Sequence, residues 1–264
     1  MAKQQDGSVE ILKIQDFEIE VERRGSGTPL VLLYGEEALE LEAPFLDELA
    51  TTNEIIILSP PGFGKSNRPD SVGNPDDISY VMLDALDALG LEDVTLMGCS
   101  FGGWIAAEMA TKNSARIKQL ILVDPYGIKV SDRWTRDIQD IWFMTAEDVQ
   151  DRKYSDTKKG DIDYTVMADE KLEIIARNRE SLALFGWQPY MHNPKLKGRL
   201  HRINVPTLIV WGVDDGIVTT DYGKAYAAEI PGAKFEAIKQ AGHYPQIEQP
   251  AAFVKLVSSF IAKA

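Results

Sequence analysis

The stretch that most constrains this chain is Gly98-Cys99-Ser100-Phe101-Gly102-Gly103, set between Val94-Thr95-Leu96-Met97 and Trp104-Ile105-Ala106-Ala107-Glu108-Met109-Ala110. Strand formers precede it and good helix formers follow, so the glycines must reverse the chain within a few residues. A strand, a sharp turn and a helix in that order present the central side chain at the end of a sheet. Here that side chain is a serine, a weak nucleophile until a base reaches its oxygen and donors meet the oxyanion. Small residues at Gly98 and Gly102 let neighbouring backbone come close, and the amide of Phe101 opens the helix beside the reacting centre. Cys99 reads as small packing beside the serine.

On both sides of this turn, strands alternate with helices. Val9–Ile14 and Phe17–Glu22 alternate apolar and polar residues, as an entry hairpin would. Pro29–Tyr34, Glu54–Leu58, Ile117–Asp124 and Val205–Gly212 are apolar runs of the kind that parallel strands covered on both faces show. Pro75–Leu89 carries Ile78, Met82, Ala85, Leu86 and Leu89 at helical spacing. The expected fold class is α/β: a mostly parallel central sheet with helices on both faces. Residues 127–203 interrupt the alternation with helical stripes and no convincing strand, so 1–126 and 204–264 form the core and 127–203 a helical insertion after the sixth strand. Ser59-Pro60-Pro61-Gly62-Phe63-Gly64-Lys65-Ser66 contains Gly-Lys-Ser, but the prolines remove amides that would cradle phosphate, and a structural turn is the better reading.

Composition narrows the partners. With 28 basic and 41 acidic residues among 264, the formal net charge is -13, which disfavours nucleic acid or an anionic membrane surface. The N-terminal residues lack the apolar core of a signal peptide and no apolar run reaches the length of a membrane span, so a cytoplasmic protein is expected. The single cysteine excludes an internal disulfide, three scattered histidines offer no metal cluster, and no cofactor is implied.

A serine nucleophile needs a base and an acid. His192 and His201 lie in or beside the insertion and read as surface or packing residues. His243, in Gly242-His243-Tyr244-Pro245, follows a strand and precedes the last helix, which makes it the base candidate. Asp124, Asp214 and Asp215 each end a strand, and all lie between Ser100 and His243 in sequence, so order alone leaves the acid open.

These separated motifs resemble the α/β-hydrolase superfamily from about Ile19 to the C-terminus. Leu32-Leu33-Tyr34-Gly35 looks like its oxyanion strand, Pro61–Ser66 is similar to its next loop, and Gly98–Gly103 matches the nucleophile elbow. Pro206–Asp215 matches the acid strand and Gly242–Glu248 the histidine loop. The resemblance implies Asp215 as the acid, the amides of Glu36 and Phe101 as the oxyanion hole, a cap at 127–203 and no cofactor. Tyr34 departs from the usual histidine, and Glu36 and Glu37 follow it; Glu37 is expected to face water and Tyr34 to line the site, and the phenol and carboxylates stand where they can disturb the oxyanion geometry. Tyr126, Trp142, Trp187, Tyr190 and Tyr244 are the further expected pocket residues. The implied function is that of a capped serine hydrolase taking a small-molecule ester, similar to carboxylesterases. Cleavage of a carbon-carbon bond, as in meta-cleavage product hydrolases, is the alternative, although Cys99 stands where that branch usually has asparagine and its glycine-rich oxyanion loop is absent. A receptor that keeps the three residues with little turnover is a reading of another class.

Overall fold

Eight strands join in one sheet in the order β1-β2-β4-β3-β5-β6-β7-β8. They are β1 (Ser8–Ile14), β2 (Phe17–Gly25), β3 (Thr28–Leu33), β4 (Asn53–Leu58), β5 (Val94–Cys99), β6 (Ile117–Val123), β7 (Thr207–Gly212) and β8 (Lys234–Ile238). The coordinates are a computed structural model that describes residues 8–36 and 38–263. The hairpin β1–β2 and the β2–β4 pair are antiparallel, and the remaining five pairings are parallel. The sequence explains the difference. Every residue of β5 and β7 is buried, whereas β1 is mostly exposed, with only Leu12 and Ile14 partly buried.

Among the described residues eight α-helices accompany the sheet: α1 (Pro44–Leu49), α2 (Pro75–Ala88), α3 (Phe101–Lys112), α4 (Ala146–Lys153), α5 (Asp169–Gly186), α6 (Thr220–Ala228), α7 (Pro245–Glu248) and α8 (Pro250–Ile261). The boundaries of α2 have local causes. Asn74 caps its first turn by accepting from the Asp77 amide, Pro75 fills the first position, and Gly90 adopts a φ of 62° just beyond its end. Ile78, Met82, Ala85 and Leu86 are buried, as the helical stripe requires. Helix α3 is buried along almost its whole length, so it packs as a core element rather than an amphipathic one.

Between β6 and β7 the described residues hold α4, α5 and three short 3₁₀ segments, Thr157–Gly160, Tyr164–Val166 and Lys197–Arg202, with no strand. Thr145 caps α4 in a reciprocal box with Asp148, which sets the direction of a helix with few apolar residues of its own. The loop after β4 is a packed turn. Its amides at Gly62, Phe63, Gly64, Lys65 and Ser66 donate to Asn67, Pro60, Asn178, Glu20 and Ser66's own turn partner Phe63, which leaves no cradle for phosphate. Among the described residues, no helix is long and apolar enough to cross a membrane.

Candidate active site

Ser100 occupies the sharp turn between β5 and α3 with φ 51° and ψ −115°, a conformation that a non-glycine residue adopts only when its surroundings impose it. Three hydrogen bonds do so: the Ser100 amide donates to Val123 O at 2.8 Å, and the Trp104 and Tyr126 amides donate to Ser100 O at 3.2 and 3.3 Å. The turn also needs bare backbone around it. A Cβ on Gly102 would lie 2.2 Å from Leu33 O, and one on Gly98 would lie 2.5 Å from Gly102 O. The elbow is thus pressed against the end of β3. Phe101 begins α3, so its amide belongs to the first turn, whose N–H groups have no partner within the helix.

His243 stands on the loop after β8, its amide donating to Lys153 O at 2.7 Å. Its Nε2 is 2.8 Å from Ser100 Oγ and its Nδ1 is 2.7 Å from Asp215 Oδ2. The other Asp215 oxygen accepts from the amides of Ile217 at 2.8 Å and Val218 at 3.0 Å. A carboxylate facing Nδ1 calls for the proton there, which leaves the Nε2 lone pair for the serine hydroxyl. Close backbone approach makes this possible, because a Cβ on Gly212 would meet Gly242 O at 1.8 Å. Such a line of side chains can carry the serine proton to the imidazole while Oγ attacks a carbonyl.

Asp124, one of the candidates that sequence order leaves open, sits in the same cluster: Asp124, Asp215 and His243 each bring one polar atom within 4.8 Å of the others. Asp124 Oδ1 accepts from the Gly212 amide at 3.0 Å, and Oδ2 has no hydrogen-bond partner. Burial pushes its carboxyl well above the usual range, and the neighbouring Asp215 charge adds to the rise. Both causes favour the protonated form of Asp124, which sits behind the aspartate that meets His243. Asp214 lies apart, accepting from Ser155 Oγ at 2.8 Å.

Glu36 brings its carboxylate as well as its backbone to the site. Its side chain is buried, not in water: Oε2 accepts from Ser100 Oγ at 3.0 Å, while Oε1 accepts from Lys153 Nζ at 3.0 Å and Tyr244 Oη at 3.2 Å. Burial by itself would raise this carboxyl. The Lys153 ammonium, then His243 and the hydrogen bond from Glu36's own amide, outweigh it and hold the group at about 2. Lys153, at the end of α4, supplies the buried counter-charge from 117 residues away, which no local pattern announces. Glu37 lies outside the described residues.

The expected pocket aromatics divide. Glu36 and Lys153 line a cavity of about 560 Å³ together with Ile141, Trp142, Met144 and Leu182. Tyr244 is buried at the anion contact, and Tyr126 is buried with its ring stacked on His243. Trp187 is 61% exposed and meets Trp142 at 5.6 Å, so it faces outward more than a pocket wall would. Tyr190 donates to Gln139 O at 2.6 Å and accepts from the Ile141 amide at 3.0 Å, which gives its hydroxyl a structural task. Tyr34 is buried, its hydroxyl donating to Ser59 Oγ, which donates onward to Glu20, each at 2.8 Å. That chain draws the phenol into the packing between β2 and the loop after β4. His192 bonds Tyr190 O and His201 is exposed.

Residues 30–256 match the family model described as the alpha/beta hydrolase family. The chain belongs to that family. It is 28% identical to a 2-hydroxymuconate semialdehyde hydrolase of Pseudomonas sp. (strain CF600), an alignment covering 91% of this chain and 89% of that protein. Among solved structures, the meta-cleavage product hydrolase from Pseudomonas fluorescens IP01 superposes with a TM-score of 0.77 at 20% identity, covering 96% of this chain and 97% of that one. The naproxen esterase from Bacillus subtilis also gives 0.77, at 18% identity and with coverage of 98% and 92%. Both structural likenesses describe the fold.

Proposed function

We propose that this hydrolase cleaves a carbon-carbon bond in an acidic, conjugated diketone-type substrate through a nucleophilic Ser100, with residues 127–203 acting as the cap. The observation that carries the serine reading is the line from Ser100 Oγ through His243 to Asp215, at 2.8 and 2.7 Å. His243 takes the serine proton as Oγ bonds to the carbonyl carbon, and Asp215 holds the imidazolium. Collapse of the tetrahedral species expels the leaving group, which receives the proton from His243. Water, activated by the same imidazole, then releases the acid from the acyl-enzyme. An ester expels an alkoxide at this step. A carbon leaving group must be a stabilised carbanion, which a conjugated dienoate provides.

The likeness to a 2-hydroxymuconate semialdehyde hydrolase over most of both chains supports the carbon-carbon reading above ester cleavage, which becomes the second reading. A buried ammonium, Lys153, linked to the nucleophile through the Glu36 carboxylate, also suits an anionic substrate better than a neutral ester. The test is hydrolysis of 2-hydroxymuconate semialdehyde to formate and a hydroxypentadienoate, followed by loss of the dienolate absorbance, beside p-nitrophenyl esters of increasing acyl length. Turnover of the dienoate that is lost in Ser100→Ala is the expected result. Turnover of esters alone would establish the second reading, and undiminished turnover by Ser100→Ala would overturn both.

A further inference from the structure

The Ser100 hydroxyl has one proton and two acceptors around it, His243 Nε2 at 2.8 Å and Glu36 Oε2 at 3.0 Å. The second acceptor is a carboxylate with almost no exposed surface: Glu36 is 1% exposed and Lys153 2%. A carboxylate is held in such a place only by donors built to receive it. The donors here come from two separate elements. Lys153 Nζ reaches in from the end of α4 and Tyr244 Oη from the histidine loop, the two standing 3.3 Å from each other. Their positions are set by the backbone, since the His243 amide donates to Lys153 O and the Gly216 amide to Arg152 O. Glu36, by contrast, enters as a side chain from the loop after β3. Its carboxylate bridges the nucleophile and the ammonium, one oxygen to each.

A neutral carbonyl approaching Ser100 must pull this carboxylate off Oγ and offers Lys153 nothing in return. An incoming carboxylate offers a like-for-like exchange. The cavity that Glu36 and Lys153 line also carries Ile141, Trp142, Met144, Val149 and Leu182, an apolar bed for the remainder of such a molecule, with Gln150, Asp161 and Arg179 as further polar lining. We infer that Glu36 is the resting occupant of a carboxylate site formed by Lys153 and Tyr244 beside Ser100, and that a monocarboxylate with an apolar body takes that site over. The inference rests on Ser100 being the nucleophile, and it makes Lys153 and Tyr244 selectors of acids over neutral esters.

Benzoate is a suitable probe, titrated calorimetrically into the full chain. Glu36→Gln keeps the shape of the internal occupant and removes its charge, so it should bind benzoate at least about tenfold more tightly than the parent; Lys153→Met should bind at least about tenfold more weakly, as loss of one competing or pairing interaction implies. Should Lys153→Met fail to fold with Glu36 left uncompensated, the balanced Glu36→Gln/Lys153→Met protein replaces it and should lose the gain of Glu36→Gln. Equal or weaker benzoate binding by Glu36→Gln, an unchanged affinity without Lys153, or no binding by any variant overturns the inference. Labelling of Ser100 by a neutral fluorophosphonate, read by intact mass, separates the two readings. Its absence overturns the nucleophile assignment, whereas labelling with unaltered benzoate affinities overturns the carboxylate site alone.

Discussion

The imidazole of His243 stacks on the phenol ring of Tyr126, with centroids 5.1 Å apart and planes 16° from parallel. The contact fixes the tilt of the ring between Ser100 and Asp215, a freedom that two hydrogen bonds at its ends leave open. Tyr126 itself is held by its amide, bonded to Ser100 O. Its hydroxyl is buried with no hydrogen-bond partner, and burial raises its ionisation above the ordinary range, so it stays neutral. Tyr126→Phe keeps the stack and removes an unsatisfied group; thermal stability should hold or rise, within about 1 kcal/mol. Tyr126→Leu removes the flat surface and should lower kcat by about tenfold or more, with less effect on KM. Steady-state kinetics and thermal melts of both variants check this, and a Leu variant with the parent's kcat would count against it.

Asp215 and Asp124 differ in partner and in charge, and asparagine at each should separate them. Asp215→Asn presents an amide to His243 and should cost on the order of 10⁴ in kcat. Asp124→Asn mimics the neutral acid already there and should keep kcat within about threefold. The sign of its stability effect follows from the raised carboxyl. The native chain holds a proton that the unfolded chain releases above about pH 4, so native stability falls as pH rises beyond that value. Asp124→Asn is free of this loss and should gain on the parent between pH 5 and pH 8. Urea unfolding at the two pH values measures it; a gap that widens in the parent's favour would refute the neutral-acid assignment.

Glu36 gives the opposite slope. Its carboxyl is held at about 2, below its ordinary value, so the stability it contributes is full above the unfolded value and is lost as pH falls toward 2. The depression corresponds to roughly 3 kcal/mol at neutral pH. The parent should exceed Glu36→Gln in unfolding free energy at pH 6, with the gap already narrowing by pH 3. A gap that does not change with pH would show that the Lys153 pair is not the source.

Much of this arrangement was legible because its causes are local. The glycines around Ser100 mark a turn whose backbone presses on Leu33, and His243 lies in a short loop before the last helices. Sequence order left Asp124 and Asp215 level, since each follows a buried strand. Sheet register separates them: β6 and β7 are neighbours with Val123 beside Val210, which brings both acids to one end, and the loop after Gly212 alone turns its carboxylate to the imidazole. The place of the Glu36 carboxylate was not legible, because a glutamate in a loop carries no mark of a counter-charge arriving from α4. The aromatics of 127–203 were harder still. Trp134, Trp142 and Trp187 lie in bends and turns outside α4 and α5, where no helical period says which rings face inward; Trp142 lines the cavity while Trp187 and Trp134 are largely exposed.

The elbow's tolerance to a single methyl group tests how far its geometry depends on bare backbone. In Gly102→Ala the new Cβ would stand 2.2 Å from Leu33 O and 2.6 Å from Tyr34 O, both backbone atoms that cannot rotate away. Either α3 retreats from β3 or the Tyr34–Glu36 loop moves, and both shifts disturb the donors around Ser100. A cost of about 2–4 kcal/mol in stability is expected, in the range of overpacking, together with a fall in kcat of about 100-fold or more from misplacement of the nucleophile. Gly198→Ala is the control, because nothing lies within 4 Å of a Cβ there and its backbone is not left-handed. It sits in the Lys197–Arg202 segment and should be neutral or slightly stabilising through the unfolded chain. Chemical unfolding and fluorophosphonate labelling of Ser100 in the two variants read stability and reactivity separately. If Gly102→Ala labels at the parent's rate with unchanged stability, the contact between the elbow and β3 does not position the serine.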